Sequence, residues 1–580
     1  MTLLLVVATP FATAIAILIF GARLGRRTLG ALAAAGLALS FGAAASMIAS
    51  LRDRPSLEAT VGPWLPITGA DLALVVDSSM LAVTLAITGV SALIALYSVG
   101  DRAPDRRPQR YFASFMLLVA GMLIVVLASN LLLLVAGLQL AGIAACVLVD
   151  HHWTDGPAAD AATRMLLIAR LGDAAILAGA LLLFTEFHTV DIAQLGGAAL
   201  EHGSTAGSAP VIASALLLVG AIARSAQAPL HVWLPESTDA PTPVSALLQT
   251  VLVTAGVILL MRLRSVFVPD VLQAAAVVGG VTALGAALAA TAQRDVRRVL
   301  AWSTISQVGL MFVAAGLGAL FAARFQLIAH ALLKAVLVLG AGSARRMWTV
   351  VALVVGTLAL AGLPPAAGFF GIAAIASAAF SESDVILTAV VLAAAGAIAF
   401  AAVRLYAAMR VAPETARRVD GSTPLQTIVL AILAIGALGF GAVVSAGILP
   451  IGSGPADAMP PWLLVATFAV AAAGSVAAGL IYRRGIVAAS RTERGMRWAR
   501  AGVGFDALYA RGITRPFASL GRDLEHGAER SLEEGIDGIG ALVGRGSRAI
   551  GRGSFGGRAQ QLMLVAGIVV LLAFWIWSGQ

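Results

Sequence analysis

Lys334 is the only lysine in this chain of 580 residues, although Lys and Arg together number 39. Drift in genomic base composition turns neutral lysine positions into arginine, so a lysine that survives calls for a chemical reason. Arginine supplies a fixed positive charge and does not release its proton at biological pH. A lysine ammonium taken out of water can do so. His330 lies four residues earlier, on the same face of a helix, and an imidazole titrates near neutrality. The pair is a candidate proton carrier, with Lys334 at the centre and His330 as relay. The plainer alternatives are a lysine that only meets a carboxylate and a histidine that is only hydrogen-bonded.

Other ionisable groups within apolar segments are few. Arg170 and Asp173, at i and i+3, are placed to neutralise each other, and Asp173 is also a candidate partner for Arg224. Glu236, Asp239, Asp295 and Arg404 fall nearer segment ends. The single cysteine, Cys146, permits neither an intrachain disulfide nor a metal cluster. No nucleotide-binding glycine fingerprint, metal-ligand cluster or nucleophilic triad stands out. Gly544-Arg-Gly-Ser and Gly551-Arg-Gly-Ser follow no strand and suit a basic turn near anionic headgroups.

The elements that must position these groups are membrane helices. Hydrophobic residues make up 59% of the chain, charged residues 12%, and mean hydropathy is +0.94; a soluble protein has about a quarter of its residues charged. At about 20 apolar residues per crossing, spans are expected near 1–21, 29–51, 79–99, 111–128, 130–149, 164–184, 210–232, 243–263, 271–291, 297–317, 322–342, 348–378, 384–408, 424–448, 461–482 and 561–578. The expected fold is an all-α polytopic membrane protein of about sixteen helices. The net charge of +9 comes mostly from arginines in alternate loops, such as Arg23, Arg26 and Arg27, or Arg294, Arg297 and Arg298. It sets orientation rather than attracting nucleic acid, with those loops cytoplasmic and both termini outside. The loops at 185–209, 379–384 and 449–460 contain no arginine; Arg262, Arg264 and Arg324 are exceptions in outside loops.

Two spans carry helix breaks: Pro229 and Pro235 in the seventh, Pro364 and Pro365 in the twelfth. They are five spans apart, and an odd number of spans reverses each following unit, so spans 4–8 and 9–13 are expected to form an inverted repeat. The expected organisation is a three-span region 1–110, repeats over 111–263 and 264–408, spans 14–15 over 409–485, an amphipathic lateral arm over 486–560 and an anchor span over 561–580. The arm is too charged to cross a membrane, and its apolar residues recur at helical steps. It either rests on lipid headgroups or lies across other helices.

The stretch Arg224-Ser-Ala-Gln-Ala-Pro-Leu-His-Val-Trp-Leu-Pro-Glu, followed by Ala240-Pro-Thr-Pro-Val-Ser-Ala-Leu-Leu, resembles the signature of the antiporter-like subunits of respiratory complex I. So do Asp295-Val-Arg-Arg-Val-Leu-Ala-Trp-Ser-Thr-Ile-Ser-Gln-Val-Gly, the His330/Lys334 segment and Leu360-Ala-Gly-Leu-Pro-Pro-Ala-Ala-Gly-Phe-Phe. The charged segment before a last span, with Phe505-Asp-Ala-Leu-Tyr, is similar to the lateral arm of the L subunit, or subunit 5. The resemblance implies two inverted five-helix repeats and proton translocation coupled to electron transfer elsewhere in the complex. It places Glu236, Pro241 and Pro243 in a loop motif beside the first break. It also implies no cofactor on this chain, with flavin, iron-sulfur clusters and quinone in partner subunits. Partners would be other membrane subunits, contacted partly through 486–560, and the location a bacterial inner membrane. Related chains serve in multisubunit cation/proton antiporters and inorganic-carbon uptake complexes, so those functions, and a non-conducting scaffold, stay as alternatives.

Residue by residue, the family's central lysine falls on Lys334 and its preceding histidine pair on Gln326 and His330. The lysine of the broken seventh helix becomes Arg224. The glutamate of the fifth span falls on Gly137, a histidine of the eighth on Gln249, and a lysine of the twelfth on Ile372.

Overall fold

In the computed structural model the described residues are 1–100, 107–152, 156–202, 208–342, 347–411, 423–445 and 459–483, with Pro516 and Ser519 besides. Helices α1 (Thr2–Phe20) and α2 (Arg26–Ser46) come first, followed by strands β1 (Ser56–Pro63) and β2 (Asp71–Asp77) and then by helix α3 (Ser78–Val99). Next come α4 (Pro108–Leu127), α5 (Leu131–Val149), α6 (Gly156–Phe187) and the short α7 (Ile192–His202). The first broken span is α8 (Ser208–Arg224) with α9 (Trp233–Glu236), and the next is α10 (Thr242–Thr250) with α11 (Ala255–Arg262). Helices α12 (Pro269–Ala292), α13 (Val296–Gly316) and α14 (Leu320–Ala341) precede the second broken span, α15 (Met347–Leu360) with α16 (Ala367–Ser381). Helices α17 (Val385–Val411), α18 (Pro424–Ser445) and α19 (Pro461–Arg483) complete the described bundle.

Thirteen helices among the described residues are long and apolar enough to cross a membrane. The two spans expected before residue 485 that fall outside this set are the broken ones. The chain divides into two units, Met1–Asp506 and Ala507–Gln580. The arm over 486–560, with the exception of Pro516 and Ser519, and the anchor span over 561–580 lie outside the described residues.

Helix starts follow local chemistry. Asp77 accepts from Met80 N at 2.7 Å to open α3, Asn130 from Leu133 N at 2.9 Å to open α5, and Asp295 from Arg297 N at 2.7 Å to open α13. Each such cap stabilises its helix by about 1 kcal/mol. Pro108, Pro243 and Pro269 stand in first turns, where no amide donor is needed.

The structure departs from the expected pattern of uninterrupted spans and loops in three places. Residues 56–77 form an antiparallel hairpin, with Ser56 opposite Asp77, Pro63 opposite Asp71 and a bulge between Thr60 and Gly62. Its inner strand is tied to the start of α5: Ser129 N donates to Ala73 O at 3.1 Å and Asn130 Nδ2 to Asp71 O at 2.7 Å. The arginine-free loop 185–209 contains α7. The eighth span is interrupted at Val251, where a single 3-10 turn, Leu252–Thr254, separates α10 from α11.

Two features recur five spans apart. Each broken span has its cis X-Pro bond five residues after the last residue of its first half: α8 ends at Arg224 with Ala228-Pro229, and α15 at Leu360 with Pro364-Pro365. The first two helices of each half also cross glycine on glycine. A Cβ on Gly121 of α4 would lie 2.7 Å from Gly137 O, and one on Gly137 of α5 2.8 Å from Gly121 O. Gly279 of α12 and Gly309 of α13 repeat this at 2.6 and 2.7 Å. Real Cβ atoms do not approach carbonyls this closely, so only glycine permits these backbones to meet. Helices α10, α11 and α13 are buried along almost their whole length, whereas α1 and α19 have few buried residues. The centre of the bundle is therefore where polar groups are furthest from solvent.

Candidate functional site

Lys334 and His330 share one face of α14, which Gln326 extends by one more turn. All three side chains are fully buried. Lys334 Nζ donates to Ser303 Oγ at 2.6 Å and to Leu300 O at 2.9 Å, both on α13. No carboxylate among the described residues lies within ion-pair distance of it. Ser303 Oγ itself donates to Leu300 O at 2.9 Å, which turns an oxygen lone pair toward the ammonium. An ammonium held only by a hydroxyl and a carbonyl has dipoles for partners and no fixed countercharge, so its neutral form is tolerated there as well as its charged one.

His330 Nε2 donates to the backbone oxygen of Gln249 at 3.0 Å. That carbonyl lies two residues before the interruption in the eighth span, where the regular helical ladder ends. The bond fixes the hydrogen on Nε2 and leaves Nδ1 as the acceptor; Nδ1 is buried without a hydrogen-bond partner. The Gln249 side chain accepts from Thr304 Oγ1 at 3.0 Å, and Gln326 Nε2 donates to Gln307 Oε1. Lys334, His330 and Gln326 thus run down α14 beside Ser303, Thr304 and Gln307 on α13. From Gln326 to Lys334 the stripe rises eight residue steps, about 12 Å at 1.5 Å per residue. Gln307 Nε2, Gln326 Oε1 and Gln227 Oε1 are also buried without hydrogen-bond partners. Buried polar atoms of this kind are ordinarily satisfied by internal water.

The second charged group joins α5, α6 and α8. Arg224 is the last residue of α8, and its side chain is 3% exposed. Its Nε donates to Asp173 Oδ1 at 2.6 Å, its Nη2 pairs with the same oxygen, and Nη2 also donates to Leu138 O at 2.9 Å. Arg170 Nη2 lies 3.1 Å from Asp173 Oδ2. One buried carboxylate therefore holds two guanidiniums. Gly142 gives them room: a Cβ there would stand 2.6 Å from Arg224 Nη1 and 3.2 Å from Arg170 Nη2.

Gly137 is directed elsewhere, at Gly121 and Ile124 of α4, so it is not the position on α5 that faces Arg224. That face is marked by Gly142 and, one turn earlier, Gln139, whose Oε1 is buried and unpartnered. Ile372 is buried on α16, and its neighbour Gly371 packs against the Gln326 side chain, where a Cβ would collide with Oε1.

The break after Arg224 is held at several points. Trp233 Nε1 donates to Ala223 O at 3.1 Å, Gln227 Nε2 to Ser225 O at 2.9 Å, and Ala228 N to Thr282 Oγ1 at 3.1 Å. These bonds satisfy backbone groups that a lipid environment could not. Pro229 lies within the turn and Pro235 within α9 beyond it. Beyond it Glu236 pairs with Arg164 of α6 at 2.5 Å, and Pro241 and Pro243 open α10. Pro364 and Pro365 occupy the corresponding turn of the second half. The residues that sequence reasoning did not single out are Ser303, Thr304, Gln307 and Gln227. Their signal was a run of uncharged polar residues at helical spacing inside apolar segments.

Among the described residues no group of three or more His, Cys, Asp or Glu is placed to hold a metal ion. The family model described as NADH:quinone oxidoreductase/Mrp antiporter, TM, matches residues 128–397. NADH-quinone oxidoreductase subunit L of Mycobacterium tuberculosis is 32% identical over 625 aligned positions, which cover 98% of this chain and 97% of the relative. The chain belongs to that subunit L family. Subunit L of Escherichia coli is 38% identical over 273 residues, covering 47% of this chain and 44% of the relative. Among solved structures, a chain of the Mrp complex from Dietzia superposes with a TM-score of 0.70 at 23% identity. The match covers 92% of this chain and a little under two thirds, 63%, of that one. A chain of an archaeal membrane-bound sulfane sulfur reductase gives 0.69 at 21% identity, over 82% of this chain and 99% of that one. These two likenesses show that the chain shares its membrane fold with both.

Proposed function

We propose that this chain is a proton-translocating membrane-arm subunit of a complex-I-like NADH-quinone oxidoreductase, and that Lys334 is the group that takes up and releases the proton. The observation that carries the reading is Lys334 itself, fully buried, held by a hydroxyl and a carbonyl, in a chain that otherwise uses arginine. His330 is the neighbouring relay through its free Nδ1, and the amide and hydroxyl groups beside it support water where ionisable side chains are absent. Flavin, iron-sulfur clusters and quinone belong to partner subunits. The membrane is a bacterial inner membrane, with both termini outside the cytoplasm.

A second reading, a scaffold that conducts nothing, is favoured by the first half alone, whose cations are guanidiniums and do not titrate. Proton pumping by the purified assembly in sealed vesicles separates the two. With Lys334→Ala or Lys334→Arg, electron transfer should continue while protons moved per electron fall. If both variants assemble and pump at the wild-type ratio, the scaffold reading stands.

A further inference from the structure

Hydroxyl groups recur along one face of α3. Thr84, Ser91 and Ser98 stand seven residues apart, with Thr88 between the first two, and all four side chains are fully buried. Residues seven apart lie within about 20° of one another round a helix, so the three share a line. Hydroxyls inside membrane helices ordinarily bond to a carbonyl of their own preceding turn. Thr84 does so to Met80 O at 2.8 Å, Thr88 to Thr84 O at 2.8 Å and Ser98 to Ile94 O at 2.9 Å. Ser91 does not: its Oγ is buried without a hydrogen-bond partner. Internal water is the ordinary partner of such a group.

The line has a polar mouth at the end of α3 that the basic loops assign to the cytoplasm. Ser98 Oγ lies 3.2 Å from the Tyr111 hydroxyl of α4. Because Ser98 spends its hydrogen on Ile94 O, Tyr111 donates in that contact and Ser98 accepts. The His151 ring stands against Tyr111 with centroids 5.4 Å apart, and the adjoining residues Arg110 and Asp150 pair at 3.5 Å.

The inner end of the line lies level with Lys334. Tyr97 of α3 donates to Leu339 O of α14 at 3.1 Å. These helices are the third and eleventh crossings, so they run in the same direction. Ser91 is six residues before Tyr97 and Lys334 five before Leu339, about 9 and 7.5 Å at 1.5 Å per residue.

We propose that the face of α3 from Ser98 to Ser91 holds a file of water that enters beside Tyr111, and that this water delivers the proton taken up by Lys334. The uptake role rests on the reading of Lys334 given above; the hydration of the seam does not. At the inner end a hydronium ion gives its proton to the neutral lysine amine and remains as water. Ser91, Ser98 and Tyr111 are positioning residues that orient the water.

Cysteine accessibility in the intact assembly tests this. Cys146→Ser removes the chain's single cysteine, and a new one is placed either at Ser91 or at Val90, a buried neighbour about 100° round the helix. Silver ion is the probe, because a thiol binds metal as thiolate and ionises where water reaches it. Added from the cytoplasmic side of sealed vesicles, silver should protect Ser91→Cys from maleimide labelling after denaturation at least about tenfold faster than Val90→Cys. The modified Ser91→Cys assembly should also move fewer protons per electron than the silver-treated Val90→Cys assembly. Equal reaction rates at the two sites overturn the proposal. So does a modified Ser91→Cys assembly that pumps as its Val90→Cys counterpart does. Should Ser91→Cys fail to assemble, Ser98→Cys carries the same two expectations. Normal pumping by Lys334→Met beside a fast-reacting Ser91→Cys would sink the Lys334 reading, and with it the destination of the proton, while leaving the hydrated seam in place.

Discussion

Asp173→Asn isolates the charge that the first half depends on. Asparagine keeps the size of the side chain and an oxygen that can still accept from Arg224 Nε, now at 2.6 Å from Asp173 Oδ1, so the substitution changes charge and little else. Arg224, 3% exposed, is then a buried cation with only the Leu138 carbonyl and a neutral amide for partners. Removing one member of a buried pair destabilises by about 3–5 kcal/mol. The Arg170 share adds at most about 1 kcal/mol, because that side chain is partly open. At about 1.4 kcal/mol per factor of ten, the ratio of folded to unfolded chain falls more than a hundredfold. The assay is thermal melting of the purified assembly together with the amount of chain incorporated. Both should drop for Asp173→Asn and recover for Asp173→Asn combined with Arg224→Gln, which removes the stranded cation. Assemblies that do form should pump with the wild-type ratio, since a guanidinium carries no transferable proton. A single variant that melts as wild type, or a double variant no better than the single, refutes the reasoning.

Lys334→Met should behave in the opposite way. Ser303 already donates to Leu300 O, so no donor is orphaned, and stability should change by no more than about 1 kcal/mol while pumping is lost. Melting and proton measurements on the same preparation check both halves of that statement. Gly309→Val should lower stability by about 1–3 kcal/mol through overpacking against Gly279 and Ala283. Gly285→Val on α12, where a Cβ meets nothing within 4 Å, is the control and should melt as wild type. Gln249→Leu keeps the backbone carbonyl that His330 uses but removes the acceptor of Thr304; a modest loss of stability is expected, with His330 still held in its tautomer by nuclear magnetic resonance of the ring nitrogens.

Much of this architecture was legible because membrane helices obey simple rules. Apolar length located the spans and paired prolines located both breaks. The scarcity of charge within spans singled out Arg170, Asp173, Arg224 and Lys334. The rest depended on neighbours. Nothing local marks the interruption at Val251, which lacks an adjacent proline or glycine. The hairpin over 56–77 is stabilised by the start of α5 as well as by its own pairing. The direction of Gly137 could not be read from its motif, since a glycine has no side chain to betray which helix it touches. The polar stripe of α13 was visible only as hydroxyls and amides, residue types equally common in helices that merely bond to their own backbone, as Thr304 also does to Leu300 O.

The glycine crossings constrain how sequences of this kind can change. At Gly121 with Gly137, and at Gly279 with Gly309, each carbonyl occupies the place where the partner's first side-chain atom would go. A methyl group gained on one helix therefore cannot be accommodated by a loss on the other, because glycine has nothing left to lose. Neither position has a compensating neighbour, and drift at these four sites has no gradual route. Charges a few residues away are under no such restriction, so in a lineage that abandons titratable groups these crossings would be among the last positions to change.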